Sequence, residues 1–266
     1  MKPRPSPPTA RRKAAGSGRK PEAPARLPVI RYCIFDLDDT LYDCFGQRLR
    51  RAHRHAARAL ARAGVPATTG QIFQARMRAF QNDPRLDYID REVCRRFGVP
   101  FTEELHQVAR QAYFGTPVGR LRLFPGVRFM LRALRRRGVR NFIVSYGEPS
   151  IQRVKVRALG LEKERAIERI FFADTNKIVT KDHLFRTLLR KLGGDASHFL
   201  VVGDRPSSEI RAGKRLGMYT ARLRHGEFAR LEPASSAEEA EFEVRDITAV
   251  LQLPLQFGRA AAARAS

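Results

Sequence analysis

Two aspartates, Asp36 and Asp38, stand two residues apart just beyond the apolar run Tyr32-Cys33-Ile34-Phe35, and Asp39, Thr40 and Leu41 follow them. The pair can act on one ligand only if the chain leaves the alternating strand conformation just after Phe35. Two crowded carboxylates repel at neutral pH, which favours a shared divalent cation or one raised pKa, and a nucleophile beside a general acid wants both. The plainer reading is a solvated turn in which Thr40 caps the next helix. Other strand-like runs end in similar chemistry. Phe199-Leu200-Val201-Val202 runs into Gly203-Asp204, and Pro206 then suits a first helical turn, which faces Glu209 back toward Asp204. Asn141-Phe142-Ile143-Val144 ends in Ser145-Tyr146-Gly147, and Lys181 follows Ile170-Phe171-Phe172-Ala173. Ligands of open α/β sheets bind outside the carboxyl ends of the strands, so four ends carrying Asp, Ser, Lys and Asp describe one pocket.

The order of these motifs resembles the haloacid dehalogenase-like (HAD) hydrolase superfamily, over roughly residues 29–253. The DLDDTL segment resembles its first motif, Ser145 its second, Lys181 its third and the Gly203-Asp204 to Glu209 stretch its fourth. The resemblance implies that Asp36 is the nucleophile that takes a phosphoryl group and that Asp38 protonates the leaving oxygen. It implies phosphate oxygens held by Ser145 and Lys181, with Tyr146 beside them as a further candidate. It also implies Mg²⁺ bound by the Asp36 carboxylate, the Asp38 carbonyl and Asp204, with Glu209 orienting a metal-bound water. A dehalogenase expels a halide and needs no acid two residues after its nucleophile, so Asp38 points to the phosphatase branch. The expected activity is Mg²⁺-dependent hydrolysis of a phosphate monoester through an aspartyl-phosphate. A phosphomutase of the same family, or a nucleic-acid-binding adapter or polynucleotide phosphatase, are the alternatives.

Two positions depart from the family pattern. Tyr146 stands where Asn is common and either touches substrate or packs. Lys181 precedes Asp182 rather than Pro, and Lys177 competes with it. Lys181 is preferred because it directly precedes a helix-like stretch.

The elements that must position these groups read as a parallel, doubly wound α/β sheet. Beyond Phe124-Pro125-Gly126 the pattern alternates helix and strand through residues 219–223, with a last strand near 241–244 and a helix near 246–251. This core spans 29–44 and 122–253. The insertion 45–121 has helical periodicity near 48–63, 71–80, 87–97 and 102–113, and forms an all-helical cap in the resembled family. It is rich in arginine and contains no lysine. Those arginines either recognise an anionic substrate or line solvated helix faces. Residues 1–28, rich in Pro, Ala and Arg, read as a disordered basic tail, and 254–266 as a second tail.

The 266 residues carry a formal charge of +24. Eight basic residues and one acidic one fall within the first 28, and Arg259 and Arg264 near the end, which leaves +15 on the part between. Such a surface attracts polyanions. The excess is 42 arginines against nine lysines, spread over every helix, with no nucleic-acid-reading motif, so a small anionic phosphorylated substrate is favoured over nucleic acid. Cys33, Cys44 and Cys94 are too widely spaced for a zinc knuckle and read as reduced thiols. No histidine pair has metal-ligand spacing along the sequence. No stretch has the length and apolarity of a membrane span, and a cytoplasmic location is expected.

Overall fold

The apolar run that ends at Asp36 becomes the central strand of a parallel sheet in the computed structural model, which describes residues 27–83, 85–174 and 180–258. The strands are β1 (Val29–Ile30), β2 (Tyr32–Phe35), β3 (Arg140–Tyr146), β4 (Ile167–Ala173), β5 (Phe199–Gly203), β6 (Tyr219–Leu223), β7 (Phe242–Val244) and β8 (Gln256–Phe257). Six of them form the sheet in the order β4-β3-β2-β5-β6-β7, every pair parallel. Its register sets Phe35 level with Ile143 on one side and Val202 on the other. Asp36, Ser145 and Asp204 therefore leave the same edge of the sheet.

A parallel sheet must be covered on both faces, and two separate apolar clusters do so. The helices are α1 (Arg50–Arg62), α2 (Thr69–Asn82), α3 (Leu86–Phe97), α4 (Glu103–Phe114), α5 (Val127–Arg136), α6 (Pro149–Ala158), α7 (Lys181–Leu192) and α8 (Arg211–Arg215). One cluster contains Ile34, Phe142, Phe185, Phe199 and Val201. The other joins Phe35, Ile143 and Val202 to Ala52, Ala56, Leu60 and Ile72, so the apolar core runs without a break from the sheet into the helices inserted after β2.

Those four helices, α1 to α4, are punctuated as their sequence requires. Thr68 and Gln71 cap α2 reciprocally, Gly98 closes α3 in the left-handed region at φ 67°, and Thr102 caps α4. Inside this unit Arg76 pairs with Asp90, which also meets His106 Nδ1 at 2.8 Å. Most of its other arginines are likewise engaged with the protein. Arg54, Arg91, Arg96 and Arg110 lie over the rings of Phe73, Phe101, Phe97 and Phe114, and Arg51 donates to the carbonyl of Val118 at 2.8 Å.

The C-terminal boundary differs from the expectation. Residues 254–258 are part of the fold: β8 pairs in parallel with β1, the Gln256 amide donates to the Pro28 carbonyl at 2.9 Å and the Gly258 amide to that of Ile30 at 2.8 Å. Leu255 is buried beside them. A two-residue strand carries no alternation that a sequence pattern could register. The basic tail expected at the N-terminus lies, up to residue 26, outside the described residues, as does Lys177.

Candidate active site

The strand does stop at Phe35. The Asp36 amide donates to the Val202 carbonyl at 2.9 Å, the Leu41 amide turns back to the Leu37 carbonyl at 3.0 Å, and Asp39 takes a positive φ of 54°. Asp39 is held there because its carboxylate accepts the Phe45 amide at 2.9 Å and the Glu227 amide at 3.3 Å. Thr40 is fully buried in this turn and caps no helix. The solvated-turn reading is thereby displaced.

Lys181, the first residue of α7, brings the motifs together. Its Nζ lies 2.5 Å from Asp36 Oδ1 and 2.7 Å from Glu209 Oε2. Glu209, 1% exposed, in turn accepts the Arg205 amide at 2.7 Å. Asp36, Asp204 and Glu209 each offer an oxygen within 4.8 Å of the others. This oxygen-only set of buried acids, with a single lysine among them, suits a hard divalent cation. The charges show the same need. Burial pushes the Asp36 carboxyl up to about 7, with Lys181 opposing and Glu209 adding to the rise. Burial and then Glu209 raise Asp204 well above the carboxylate range. Burial is outweighed at Glu209 by Lys181 and the Arg205 amide, which hold it low.

Asp38 faces other partners. Its Oδ1 accepts the Tyr42 hydroxyl at 2.6 Å, and its Oδ2 meets Lys155 Nζ at 2.6 Å and Gln152 Nε2 at 3.3 Å. Burial raises its carboxyl, but Lys155, Tyr42 and Gln152 outweigh this and leave it depressed. Of the two aspartates the raised one is thus Asp36. Lys155 and Gln152 escaped the sequence reading. They share the buried face of α6 at i, i+3, and the usable signal was a lysine at an inward position of a chain that otherwise uses arginine.

Ser145 is 1% exposed near the end of β3, and its Oγ has no hydrogen-bond partner among the described residues. Ser145 itself is not among the residues that line the catalytic cavity, which its neighbour Tyr146 borders. Tyr146 does not pack away. It is 47% exposed and lines the same cavity, while its carbonyl accepts Gln152 Nε2 at 2.6 Å. Gly147 must be glycine, since at φ 143° a Cβ would come within 2.6 Å of Gln152 Nε2.

The cavity bounded by these groups holds about 180 Å³ and is lined by Asp36, Asp38, Lys155, Lys181 and Asp204, with Cys44, Leu49, Arg205, Glu227 and Phe228 closing its walls. Among the described residues no arginine of α1 to α4 lines it. Glu227 and Phe228 also escaped the sequence reading, because they sit on a short turn after β6 with no periodic pattern. The histidines yield one spatial cluster that sequence spacing did not suggest, His225 beside Asp39 and Asp43. The Asp39 and Asp43 oxygens there already accept backbone amides.

The model of the haloacid dehalogenase-like hydrolase family matches residues 30–217. The chain belongs to that family. Its HAD-like sequence is 32% identical over 205 residues to a Pyrococcus abyssi protein named glyceraldehyde 3-phosphate phosphatase, covering 74% of this chain and 83% of that one. A Methanopyrus kandleri protein of the same name is 28% identical over 222 residues, 81% of this chain and 93% of that one. Among solved structures, one described as a predicted phosphoglycolate phosphatase from Haemophilus somnus superposes with a TM-score of 0.63 at 19% identity, over 84% of this chain and 97% of that one, and shares the HAD-like fold.

Proposed function

We propose that this HAD-like hydrolase is a phosphatase that cleaves a small phosphate monoester through an aspartyl-phosphate on Asp36. The observation that carries the proposal is Lys181, whose Nζ binds Asp36 at 2.5 Å and Glu209 at 2.7 Å on the same sheet edge as the unpartnered Ser145 hydroxyl. An Asp36 oxygen attacks phosphorus as the ester oxygen departs; Asp38, held ionised by Lys155 in the free site, takes up a proton as the ester binds and passes it to that oxygen. Water then attacks the phosphorus, Asp38 takes its proton, and the Asp36 carboxylate is released. Lys181 and Ser145 hold the phosphoryl oxygens throughout, with Tyr146 at the cavity wall. Lys155, Gln152 and Tyr42 fix the Asp38 carboxylate in place for both transfers.

Mg²⁺ would be held by the Asp36 and Asp204 carboxylates and the Asp38 carbonyl, with Glu209 beside them. When bound it supplies charge compensation for a dianionic ester approaching an anionic nucleophile. The relatives from Pyrococcus abyssi and Methanopyrus kandleri, both named glyceraldehyde 3-phosphate phosphatase, support a small three-carbon ester as the substrate.

The test is phosphate release from a panel of triose, glycerol, hexose and nucleotide monoesters and a 5′-phosphorylated oligonucleotide, with Mg²⁺ and with EDTA. Release should require Mg²⁺, be fastest on three-carbon esters, and fall by about a thousandfold or more in Asp36→Asn. Undiminished release by that variant, or release from the oligonucleotide alone, contradicts the proposal.

A further inference from the structure

In a chain with 51 basic and 27 acidic residues, a carboxylate left without a basic partner is the unusual feature. Four of the other five acids lining the catalytic cavity accept hydrogen bonds, and the fifth, Asp204, groups with Asp36 and Glu209 as a candidate cation ligand. Asp36 and Glu209 share Lys181, Asp38 is held by Lys155, Gln152 and Tyr42, Asp39 accepts two backbone amides, and Asp204 belongs to the cation-binding set. Glu227 also lines the cavity, yet its carboxylate makes no hydrogen bond or ion pair among the described residues. Its own amide is fixed to Asp39 at 3.3 Å, and its turn packs against the turn Phe45–Leu49 that leads into α1. The side chain is thus held at the seam between sheet and helical insertion.

Burial, then Asp39, push the Glu227 carboxyl up to about 7, with Arg205 and Lys155 opposing and Asp38 adding to the rise. Asp38, the group that protonates the leaving oxygen in the proposed mechanism, lines the same cavity as Glu227, so Glu227 borders the space that a leaving group can occupy. A carboxyl in that place accepts a hydrogen bond from a hydroxyl when ionised and also donates one when protonated. It repels a second carboxylate, and Asp39 beside it adds to the repulsion.

We propose that Glu227 is a specificity-determining residue that selects esters whose leaving group is neutral and hydroxylated over esters that carry a carboxylate. This rests on the phosphatase reading above. Glycerol 3-phosphate and 3-phosphoglycerate test it cleanly, because they share a carbon skeleton and differ by a hydroxymethyl group in place of a carboxylate.

The measurement is kcat/KM on both esters for the wild type, Glu227→Gln and Glu227→Ala. Since the ratio is taken within one preparation, a partly unfolded variant leaves it unaffected. The wild type should prefer glycerol 3-phosphate by about tenfold or more, and both variants should lower that preference by about tenfold, Glu227→Gln chiefly through a lower KM for 3-phosphoglycerate. A ratio unchanged in both variants, or a wild type that prefers 3-phosphoglycerate, overturns the role of Glu227 while leaving the phosphatase reading intact. Absence of release from every ester of the wider panel overturns that reading, and this proposal with it.

Discussion

Two lysines divide the aspartate pair between them: Lys181 takes Asp36 and Lys155 takes Asp38. Lys181 was legible in the sequence because it follows a strand candidate and opens a helix, a position with meaning in an α/β crevice. Lys155 was not, because its role depends on which face of α6 turns inward and on how far that helix lies from β2. The same holds for Glu227, which nothing but the closed fold places beside Asp39. The buried acids have a consequence for stability. Without a cation, Asp36 rises from 3.8 to about 7, Asp39 from 3.8 to about 6 and Glu227 from 4.5 to about 7, all chiefly through burial. Across this window the folded chain keeps protons that the unfolded chain has released, so stability is greatest below the unfolded values and is lost as pH rises through 6 and 7. Asp38 and Glu209, which are depressed, act in the opposite sense only below the ordinary carboxylate range. The melting temperature of the cation-free protein should therefore fall from about pH 5 to about pH 8, less steeply in Asp36→Asn, and Mg²⁺ should raise it more at the upper end. Calorimetry across that range checks this, and a flat or rising profile counts against the raised pKa values of these buried acids.

At the scale of elements, what the sequence made plain was the alternation that builds the sheet. The strand ends that carry Asp36, Ser145 and Asp204 follow from apolar runs of four or more residues, and the parallel order brings them together. What it did not show were elements without a pattern: the two-residue pair of β1 with β8, and the turn holding Glu227. Helix boundaries matter most at α7, where the side chain of Thr180 accepts the His183 amide at 3.2 Å and so fixes the turn that starts with Lys181. Thr180→Ala should cost about 1 kcal/mol of stability. It should also lower kcat/KM several-fold, because Lys181 then loses its fixed approach to Asp36. Denaturant unfolding together with steady-state kinetics measures both. A stability loss with unchanged kinetics would separate the cap from the site.

Over the whole molecule, the arginines of the helical insertion mostly line solvated faces, the second of the two readings that the composition left open. Seven of the eleven arginines of α1 to α4 stack on aromatic rings, pair with acids or bind carbonyls, and none among the described residues lines the catalytic cavity. The insertion instead supplies apolar wall, with Leu49 at its root. In the proposed mechanism, recognition of a dianionic ester at short range falls to Lys181, Ser145 and the cation, while the formal charge of +24 acts at long range. Such a field speeds the encounter with anions and is screened over roughly 10 Å at about 0.1 M salt. Raising monovalent salt from about 0.02 M to about 0.3 M should thus lower kcat/KM on a dianionic ester by a few-fold while leaving kcat nearly unchanged. Equal losses in both would place the charge effect within the site rather than around it.

Mass spectrometry of the protein quenched in acid during turnover tests the proposed covalent intermediate on Asp36. The peptide containing Asp36 should gain the mass of one phosphoryl group in the wild type and lose that gain in Asp36→Asn. A phosphoryl group found on another residue, or none found while phosphate is being released at steady state under conditions that make breakdown of the intermediate rate-limiting, would contradict the account.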